Sequence, residues 1–281
     1  MRFLPSLSCS GGLRRRFARG DRARGLVAAA VAGLALLEPA TAAAQQLDAI
    51  IKRGKVLVGI DLASPPFGLQ DEKRQPAGSE VETARLLAKD LGVMLEIVPV
   101  TGANRIPYLV TGRVDLVMAT FAISPDRAKS VWFSSPYGAT GSVVMAPKGS
   151  VIKSYAELDK KRVAVARGSF SEQALQREAK PTTRIIRFDD DAAATAAMLA
   201  GQVDAYATAV PIANMLIKRS PAQWEVKFPM LRSWYGVGMR RGDADLLQWV
   251  NTFVMFHLQN GDMAKIYEKW IGSPLPPVPA L

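Results

Sequence analysis

The chain has 281 residues, a formal net charge of +11, one cysteine and one histidine. This length corresponds to one or two domains, and a content of 49% hydrophobic and 22% charged residues excludes a disordered or low-complexity protein. One cysteine excludes an intramolecular disulfide and a cysteine-rich zinc site, and one histidine leaves little scope for a histidine-based metal site. We therefore expect neither a metal nor a cofactor.

The first 44 residues have the layout of a secretory signal peptide. A cluster of arginines precedes an apolar run at residues 26–37, and a small-residue stretch ends at Ala44. The run is shorter than the ~20 residues that span a bilayer, which argues against the alternative of a membrane anchor. We predict cleavage after Ala44 and a periplasmic location. Arg14 and Arg15 leave both Sec and twin-arginine export open.

The chain that remains after this cleavage is only mildly basic. Residues 1–44 hold seven arginines and two acidic residues, so a net charge of +6 is left, without a basic cluster. We therefore expect no nucleic acid partner. This part of the chain has no cysteine, which suits an oxidising compartment of the cell envelope.

The next segment alternates between strand and helix patterns. Short apolar runs predict strands, and apolar residues at a helical spacing predict helices. The predicted strands are residues 56–60, 94–98 and 114–119, and the predicted helices are residues 80–91 and 106–110. Such alternation predicts a mostly parallel α/β sheet with two covered faces.

The same alternation returns from residue 162 onward. It predicts strands at 163–166, 184–188 and 203–207, a helix at 171–179, and a helix that ends at Leu199 and is capped by Asp190 or Asp191. In both passes a glycine closes a helix and Val-Asp opens the following strand, at residues 112–115 and 201–204. A short echo of this kind can arise by chance, but its place in the same α/β order favours two lobes of like architecture.

The C-terminal part of the chain predicts two helices after Asp243, the second ending at Trp270. Residues 273–281 form a proline-rich tail that we expect to be loose. His257 falls on the apolar face of the first of these helices, which favours a packing role over that of a catalytic base. With no cysteine nucleophile after residue 44, most hydrolytic mechanisms are not expected.

Two strand-to-helix turns could hold an anion. At the first, Ser124 is a predicted N-cap, and Arg127 adds a planar charged fork that matches a carboxylate. An ordinary capped helix is an equal alternative there. At the second, Gly168 precedes Ser169, and the capping box from Ser169 to Glu172 explains the pattern without a ligand.

The order and spacing of several segments resemble the type 3 extracellular solute-binding proteins, the amino-acid-binding components of bacterial ABC importers. The resemblance covers about residues 47–272. The segments that carry it are residues 54–61, 66–67, 87–93, 104–107, 112–115, 124–128, 133–137, 161–165 and 261–270.

The resemblance implies an α/β fold, the type II periplasmic-binding-protein fold, in which two mostly parallel sheets are joined by two crossover strands. Lobe 1 would comprise residues 47–138 and 236–272, and lobe 2 residues 142–231. The ligand would lie between the lobes. The resemblance also assigns ligand contacts, namely the guanidinium of Arg127 for a carboxylate, with Thr120, the backbone N–H of Ala122, Ser169 and Phe170.

Asp61 follows the first predicted strand, where open α/β sheets bind ligands. Other positions depart from the family pattern. Ala209 stands where relatives that bind α-amino acids usually carry an acid, and Ser64 stands where many carry an aromatic residue. A buried ammonium without a counter-charge costs several kcal/mol. Either Asp61 or Glu80 therefore pairs with the ammonium, or the ligand has no α-amino group.

Two further departures concern the pocket wall. Ala122 stands where many relatives have serine or threonine. Trp234 and Tyr235, at the second predicted crossover, could supply the missing ring or could simply pack at the hinge.

These features predict a monomeric periplasmic receptor rather than an enzyme. It would bind a small carboxylate-bearing solute, a polar amino acid or a relative of one, by hinge closure, and deliver it to an ABC permease in the inner membrane. The alternative is a dehydratase of the cyclohexadienyl dehydratase type on the same fold. A missing ammonium-binding acid suits a dicarboxylate substrate without an amine, although Asp61 and Glu80 are the only acids that could serve.

Overall fold

The computed structural model describes residues 46–279. The predicted signal peptide and its cleavage site lie outside this range. No helix between residues 46 and 279 has both the length and the apolar character needed to cross a membrane.

The described residues form alternating strands and helices. The strands are β1 (Lys55–Ile60), β2 (Leu69–Gln70), β3 (Pro76–Ala77), β4 (Met94–Pro99), β5 (Leu116–Val117), β6 (Trp132–Phe133), β7 (Gly138–Pro147), β8 (Arg162–Ala166), β9 (Arg184–Phe188), β10 (Ala205–Ala209), β11 (Trp224–Tyr235) and β12 (Gly238–Met239). The helices are α1 (Gln46–Arg53), α2 (Ser79–Asp90), α3 (Arg105–Val110), α4 (Pro125–Ala128), α5 (Phe170–Glu178), α6 (Asp191–Leu199), α7 (Val210–Arg219), α8 (Ala244–Gln259) and α9 (Asp262–Ile271).

The strands form two five-stranded sheets, each the centre of one lobe. The first sheet has the order β4-β1-β5-β12-β6 and the second has the order β11-β7-β10-β8-β9. In each sheet two pairs are parallel and two are antiparallel. The parallel pairs are those that the alternation predicts, and the antiparallel pairs arise where the chain crosses or returns between the lobes.

Two long antiparallel strands, β7 and β11, connect the lobes. They pair from Gly138 opposite Tyr235 to Pro147 opposite Trp224. After β11 the chain returns to lobe 1, where β12 pairs antiparallel with β5 and β6. The predicted two-lobed α/β fold with two crossover strands is therefore confirmed, but the sheets are mixed rather than mostly parallel.

The local predictions differ from the structure mainly in length. The strand predicted at 114–119 is only Leu116–Val117, and the strand predicted at 203–207 runs from Ala205 to Ala209. Helix α7, Val210–Arg219, has no counterpart among the predicted elements. The sequence predicts the ends of two helices more accurately than the strand lengths. Gly92 and Gly201, which end these helices, adopt the left-handed conformation (φ 67° and 69°) that glycine tolerates without a steric penalty.

The core of lobe 1 is a layer of apolar residues between the sheet and helices α2, α8 and α9. His257 lies at its edge with 3% of its surface exposed. Its Nε2 is 2.7 Å from Asp90 Oδ2 in α2, and its Nδ1 is 3.0 Å from Asp262 Oδ2 in α9. His257 therefore ties three helices together, in keeping with a packing role.

Candidate functional site

A small cavity of about 40 Å³ lies between the two lobes. The ends of strands in both sheets and the loops that follow them form its wall. Lobe 1 contributes residues after β1, β4 and β5, and lobe 2 contributes residues after β8, β9 and β10. The carboxyl ends of parallel strands are where open α/β sheets bind ligands.

Arg127 is the best-defined cation of the cavity wall. It lies in α4, whose N-cap Ser124 accepts a hydrogen bond from the Arg127 backbone N–H at 3.3 Å. The guanidinium donates from Nη1 to the carbonyl of Ala122 and from Nη2 to the carbonyl of Gly168, each at 2.8 Å. A guanidinium has five N–H donors, so three remain for a ligand.

The charge of Arg127 has no anionic partner in the described part of the chain. Only 6% of the residue is exposed, and no carboxylate among residues 46–279 lies within 4.0 Å of its guanidinium. Burial and the neighbouring Arg105 lower the pKa of Arg127 to about 9, which leaves it protonated at neutral pH. A buried, uncompensated cation that borders a cavity is suited to bind an anion.

Arg105, which the sequence analysis did not assign to the site, is the second buried cation. It begins α3, is 7% exposed, and donates from Nη1 to the carbonyl of Ala119 at 3.0 Å. Its Nε is buried without a hydrogen-bond partner among the described residues. The motif Asn104-Arg105-Ile106-Pro107 contributes to the family resemblance. Its helical context gives no sign that the Arg105 side chain faces a cavity.

Asp61 lies in the wall as predicted, directly after β1. It is 7% exposed, and its Oδ1 accepts a hydrogen bond from the Ala63 backbone N–H at 3.1 Å. Burial raises the pKa of Asp61 to about 6, the charge of Arg105 opposes this rise, and Asp191 adds to it. A nearby cation therefore stabilises the ionised form of the Asp61 carboxyl group.

Asp191 is a second carboxylate of the wall. The sequence leaves open whether Asp190 or Asp191 caps the helix, and so it does not assign Asp191 to the site. Asp190 caps α6, because its Oδ1 accepts from the Ala193 N–H at 2.7 Å. The side chain of Asp191 is therefore directed at its neighbours in the cleft. It accepts from Tyr206 OH at 2.7 Å and from Ser64 Oγ at 2.8 Å. Burial raises the pKa of Asp191.

Four other predicted residues line the cavity: Thr120 from lobe 1, and Ser169, Phe170 and Ala209 from lobe 2. Ser169 also caps α5, accepting from the Glu172 N–H at 3.1 Å, so its hydroxyl has a structural role as well. The backbone of Thr120 is strained, with φ of 44°. Strained non-glycine residues of this kind concentrate at functional sites.

The structure does not bring Glu80 to the cavity, which corrects its suggested role as the ammonium partner. Glu80 is 2% exposed, and its oxygens accept from the Thr120 N–H at 3.0 Å and from Tyr137 OH at 2.5 Å. Burial raises the pKa of Glu80 to about 7. Its carboxyl group thus supports the backbone of Thr120 from behind the wall.

Ala122 and Trp234 also lie outside this cavity, contrary to expectation. Ala122 forms a β-bridge with Tyr235, and its carbonyl accepts the hydrogen bond from Arg127 Nη1. Trp234 is 40% exposed and lines a separate surface depression with Ile123. Because β11 alternates its side chains, Tyr235 points into the core of lobe 1 while Trp234 points outward.

The fold and the cavity define a class of protein. Two α/β lobes joined by two crossover strands enclose a site that contains the guanidinium groups of Arg105 and Arg127 and the carboxylates of Asp61 and Asp191. This is the arrangement of a two-lobed ligand-binding protein. The family model of the bacterial extracellular solute-binding proteins, family 3, matches residues 56–273. The chain belongs to this family.

Individual relatives agree with this assignment. The L-cystine-binding protein of Escherichia coli strain K12 is 31% identical over 81% of this chain and 86% of its own. The ABC transporter glutamine-binding protein of Bacillus subtilis strain 168 is 30% identical over 80% of this chain and 84% of its own length. A crystal structure is known of an ancestral amino-acid-binding protein, a precursor of cyclohexadienyl dehydratase. Its sequence is 37% identical to this chain, and the two structures match with a TM-score of 0.75 over 80% of this chain and 99% of the other. Both sequence relatives are named for the amino acid that they bind, and the second is named as part of an ABC transporter.

Proposed function

We propose that the protein is the periplasmic amino-acid-binding component of an ABC importer and that Arg127 binds the α-carboxylate of the ligand. The observation that carries this proposal is the buried guanidinium of Arg127, which borders the cavity and has no carboxylate partner within residues 46–279. The names of the relatives, which bind cystine and glutamine, support the choice of an amino acid.

The α-ammonium of the ligand binds to Asp61 and Asp191 in this proposal. Both carboxylates line the same cavity as Arg127, and burial raises the pKa of each. A ligand cation between them offsets the cost of burying two negative charges. They come from different lobes, so one ammonium can bridge the lobes. This pair replaces the acid that is missing at Ala209.

Binding then acts through closure of the lobes. A ligand that contacts Arg127 in lobe 1 and Asp191 in lobe 2 stabilises the closed arrangement by its differential affinity, and an ABC permease in the inner membrane receives the closed form. The protein acts as a monomer, exported with its signal peptide cleaved after Ala44. A periplasmic location is consistent with the family's description as extracellular solute-binding proteins.

A thermal-shift experiment tests the site. Amino acids, keto acids and dicarboxylates are screened with the purified protein, because a ligand at a hundredfold excess over Kd stabilises by ~2.7 kcal/mol. We expect an α-amino acid to raise the Tm of the wild type and to leave that of Arg127→Ala unchanged. Lys129→Ala, a change in an exposed cation beside the same helix, is the matched control and should respond like the wild type.

The outcome that contradicts the proposal is an equal rise in Tm for Arg127→Ala and the wild type. A lower Tm of the unliganded Arg127→Ala protein does not affect this comparison, because the rise in Tm on ligand addition is measured within each variant.

The dehydratase alternative loses one of the two acids proposed for it. Of its two candidates, Glu80 is held behind the wall by Thr120 and Tyr137, which leaves only Asp61 beside the cavity. We infer that the protein is not an enzyme. Incubation with prephenate and with arogenate tests this inference. We expect no new aromatic absorbance, and its appearance would show that the cleft is catalytic.

A further inference from the structure

The two lobes meet backbone to backbone at a pair of glycines. Gly102 follows β4 in lobe 1, and Gly168 follows β8 in lobe 2. A Cβ atom added to Gly102 would lie 2.2 Å from the carbonyl oxygen of Arg167, and one added to Gly168 would lie 2.5 Å from the carbonyl oxygen of Gly102. Neither position has room for a side chain while the lobes are in this arrangement.

Two hydrogen bonds across the cleft accompany the glycine contact. Arg127 Nη2 donates to the Gly168 carbonyl, and Ser64 Oγ donates to Asp191 Oδ2, each at 2.8 Å. The lobes therefore contact one another across the cleft, and the space beside Arg127 is the cavity of about 40 Å³.

The charges around this space are balanced. Its wall has three cations, Arg105, Arg127 and Arg167, and three anions, Asp61, Asp190 and Asp191. A zwitterion adds no net charge to such a site. A charged ligand side chain would upset this balance, and a buried charge in excess costs several kcal/mol.

We propose that the site is selective for small α-amino acids with uncharged side chains and that the contact between Gly102 and Gly168 sets the size limit. This proposal rests on the proposed function of amino-acid binding. Larger side chains keep the lobes apart and lose the hydrogen bonds across the cleft. Gly102 thus acts as a specificity-determining residue without touching the ligand.

A size series tests the selectivity. The rise in Tm is measured for glycine, alanine, serine and cysteine, and for glutamine, leucine, phenylalanine and arginine, all at the same concentration. We expect the first four to raise the Tm of the wild type and the last four to leave it nearly unchanged. A larger rise with glutamine or arginine than with serine overturns the proposal. If no α-amino acid raises the Tm, the proposed function itself fails.

The substitution Gly102→Ala tests the size-limiting contact. The backbone of Gly102 lies outside the left-handed region, so alanine is tolerated there when the lobes are open. Gly168 is unsuitable for this test, because its φ of 73° makes any side chain strained in both states. The other close neighbour of the added Cβ, Arg105 Nη2 at 3.2 Å, is the end of a long side chain that can shift.

We expect Gly102→Ala to keep the unliganded Tm of the wild type and to bind serine about tenfold more weakly or worse. Ala103→Gly changes the exposed neighbour in the same loop without adding an atom, and it should bind serine like the wild type. Small-angle scattering should show that excess serine compacts the wild type but not Gly102→Ala. Unchanged serine affinity and compaction in Gly102→Ala would show that the glycine contact does not limit closure.

Discussion

At the scale of single residues, the site depends on where its carboxylates lie. Asp61 and Asp191 border the cavity, while Ala209, where the resemblance to the family implies an acid for an α-amino-acid ligand, has none. A missing acid at one position thus does not exclude an ammonium-bearing ligand. What matters is the number of buried anions that face the ligand, and this number depends on contacts between distant parts of the chain.

The raised pKa of Asp61 predicts a pH-dependent affinity. An ammonium pairs with the ionised carboxyl, and the pKa of Asp61 is about 6. Affinity for the amino acid should therefore fall as the pH drops below about 6, by up to about tenfold for each pH unit. Titration calorimetry between about pH 5 and pH 8 measures this dependence. In Asp61→Asn, affinity should be weaker and its change across this range smaller, and an unaltered pH profile would exclude Asp61 as the partner.

The stability of the unliganded protein should depend on pH in the opposite direction. Burial raises the pKa of Glu80 from 4.5 to about 7, so the folded state holds this proton more tightly than the unfolded state. The contribution is complete below about pH 4.5 and is lost as the pH rises through about 7. The free energy of unfolding, measured with urea, should decrease from about pH 5 to pH 8. Glu80→Gln should reduce this decrease, and an identical slope in this variant would contradict the assignment.

At the scale of elements, the position of Arg127 depends on a very short helix. Helix α4 has four residues, and its N-cap Ser124 accepts from the backbone N–H of Arg127 itself. Substituting an N-cap serine by alanine typically costs about 1 kcal/mol. The cap acts together with the hydrogen bonds from the guanidinium to the carbonyls of Ala122 and Gly168.

We therefore expect Ser124→Ala to lower both stability and ligand affinity. The free energy of unfolding should fall by about 1 kcal/mol, and affinity for the amino acid should fall several-fold because the guanidinium is less well oriented. Urea denaturation and calorimetry measure the two effects. Ser130→Ala, an exposed change just after the same helix, should alter neither. Full affinity in Ser124→Ala would mean that the cap does not position Arg127.

The elements could be predicted where the signal is local. Apolar periodicity identified β1 and α2, because β1 contains a short apolar run that is mostly buried and α2 buries one face. Helix α7 was missed because it begins directly after β10, without a polar cap or a loop. Arg105 and Asp191 were missed as site residues because burial in a cleft between two lobes leaves no trace in the nearby sequence.

At the scale of the whole molecule, closure brings together residues of the two lobes whose contacts cannot be predicted from the sequence around either one. Ser64 and Asp191 are 127 positions apart, yet their hydrogen bond forms across the cleft. The resemblance to a family predicted such a cleft. It did not predict which side chains would meet there, since Ser64 stands at a position where many relatives have an aromatic residue.

Ser64→Ala should therefore weaken ligand binding through the closed state alone. A hydrogen bond to a charged group contributes about 1.5–3 kcal/mol, so affinity should fall roughly tenfold to a hundredfold. Stopped-flow measurements should show the loss mainly as faster dissociation, because the bond forms only after the lobes meet. Unchanged dissociation in Ser64→Ala would show that this bond does not hold the cleft shut.

The most direct test of the central claim is a crystal structure of the protein with a small α-amino acid bound. The account predicts the ligand carboxylate on the guanidinium of Arg127 and the ammonium between Asp61 and Asp191, with Gly102 and Gly168 in contact. A ligand bound elsewhere, or one whose carboxylate does not contact Arg127, would contradict it.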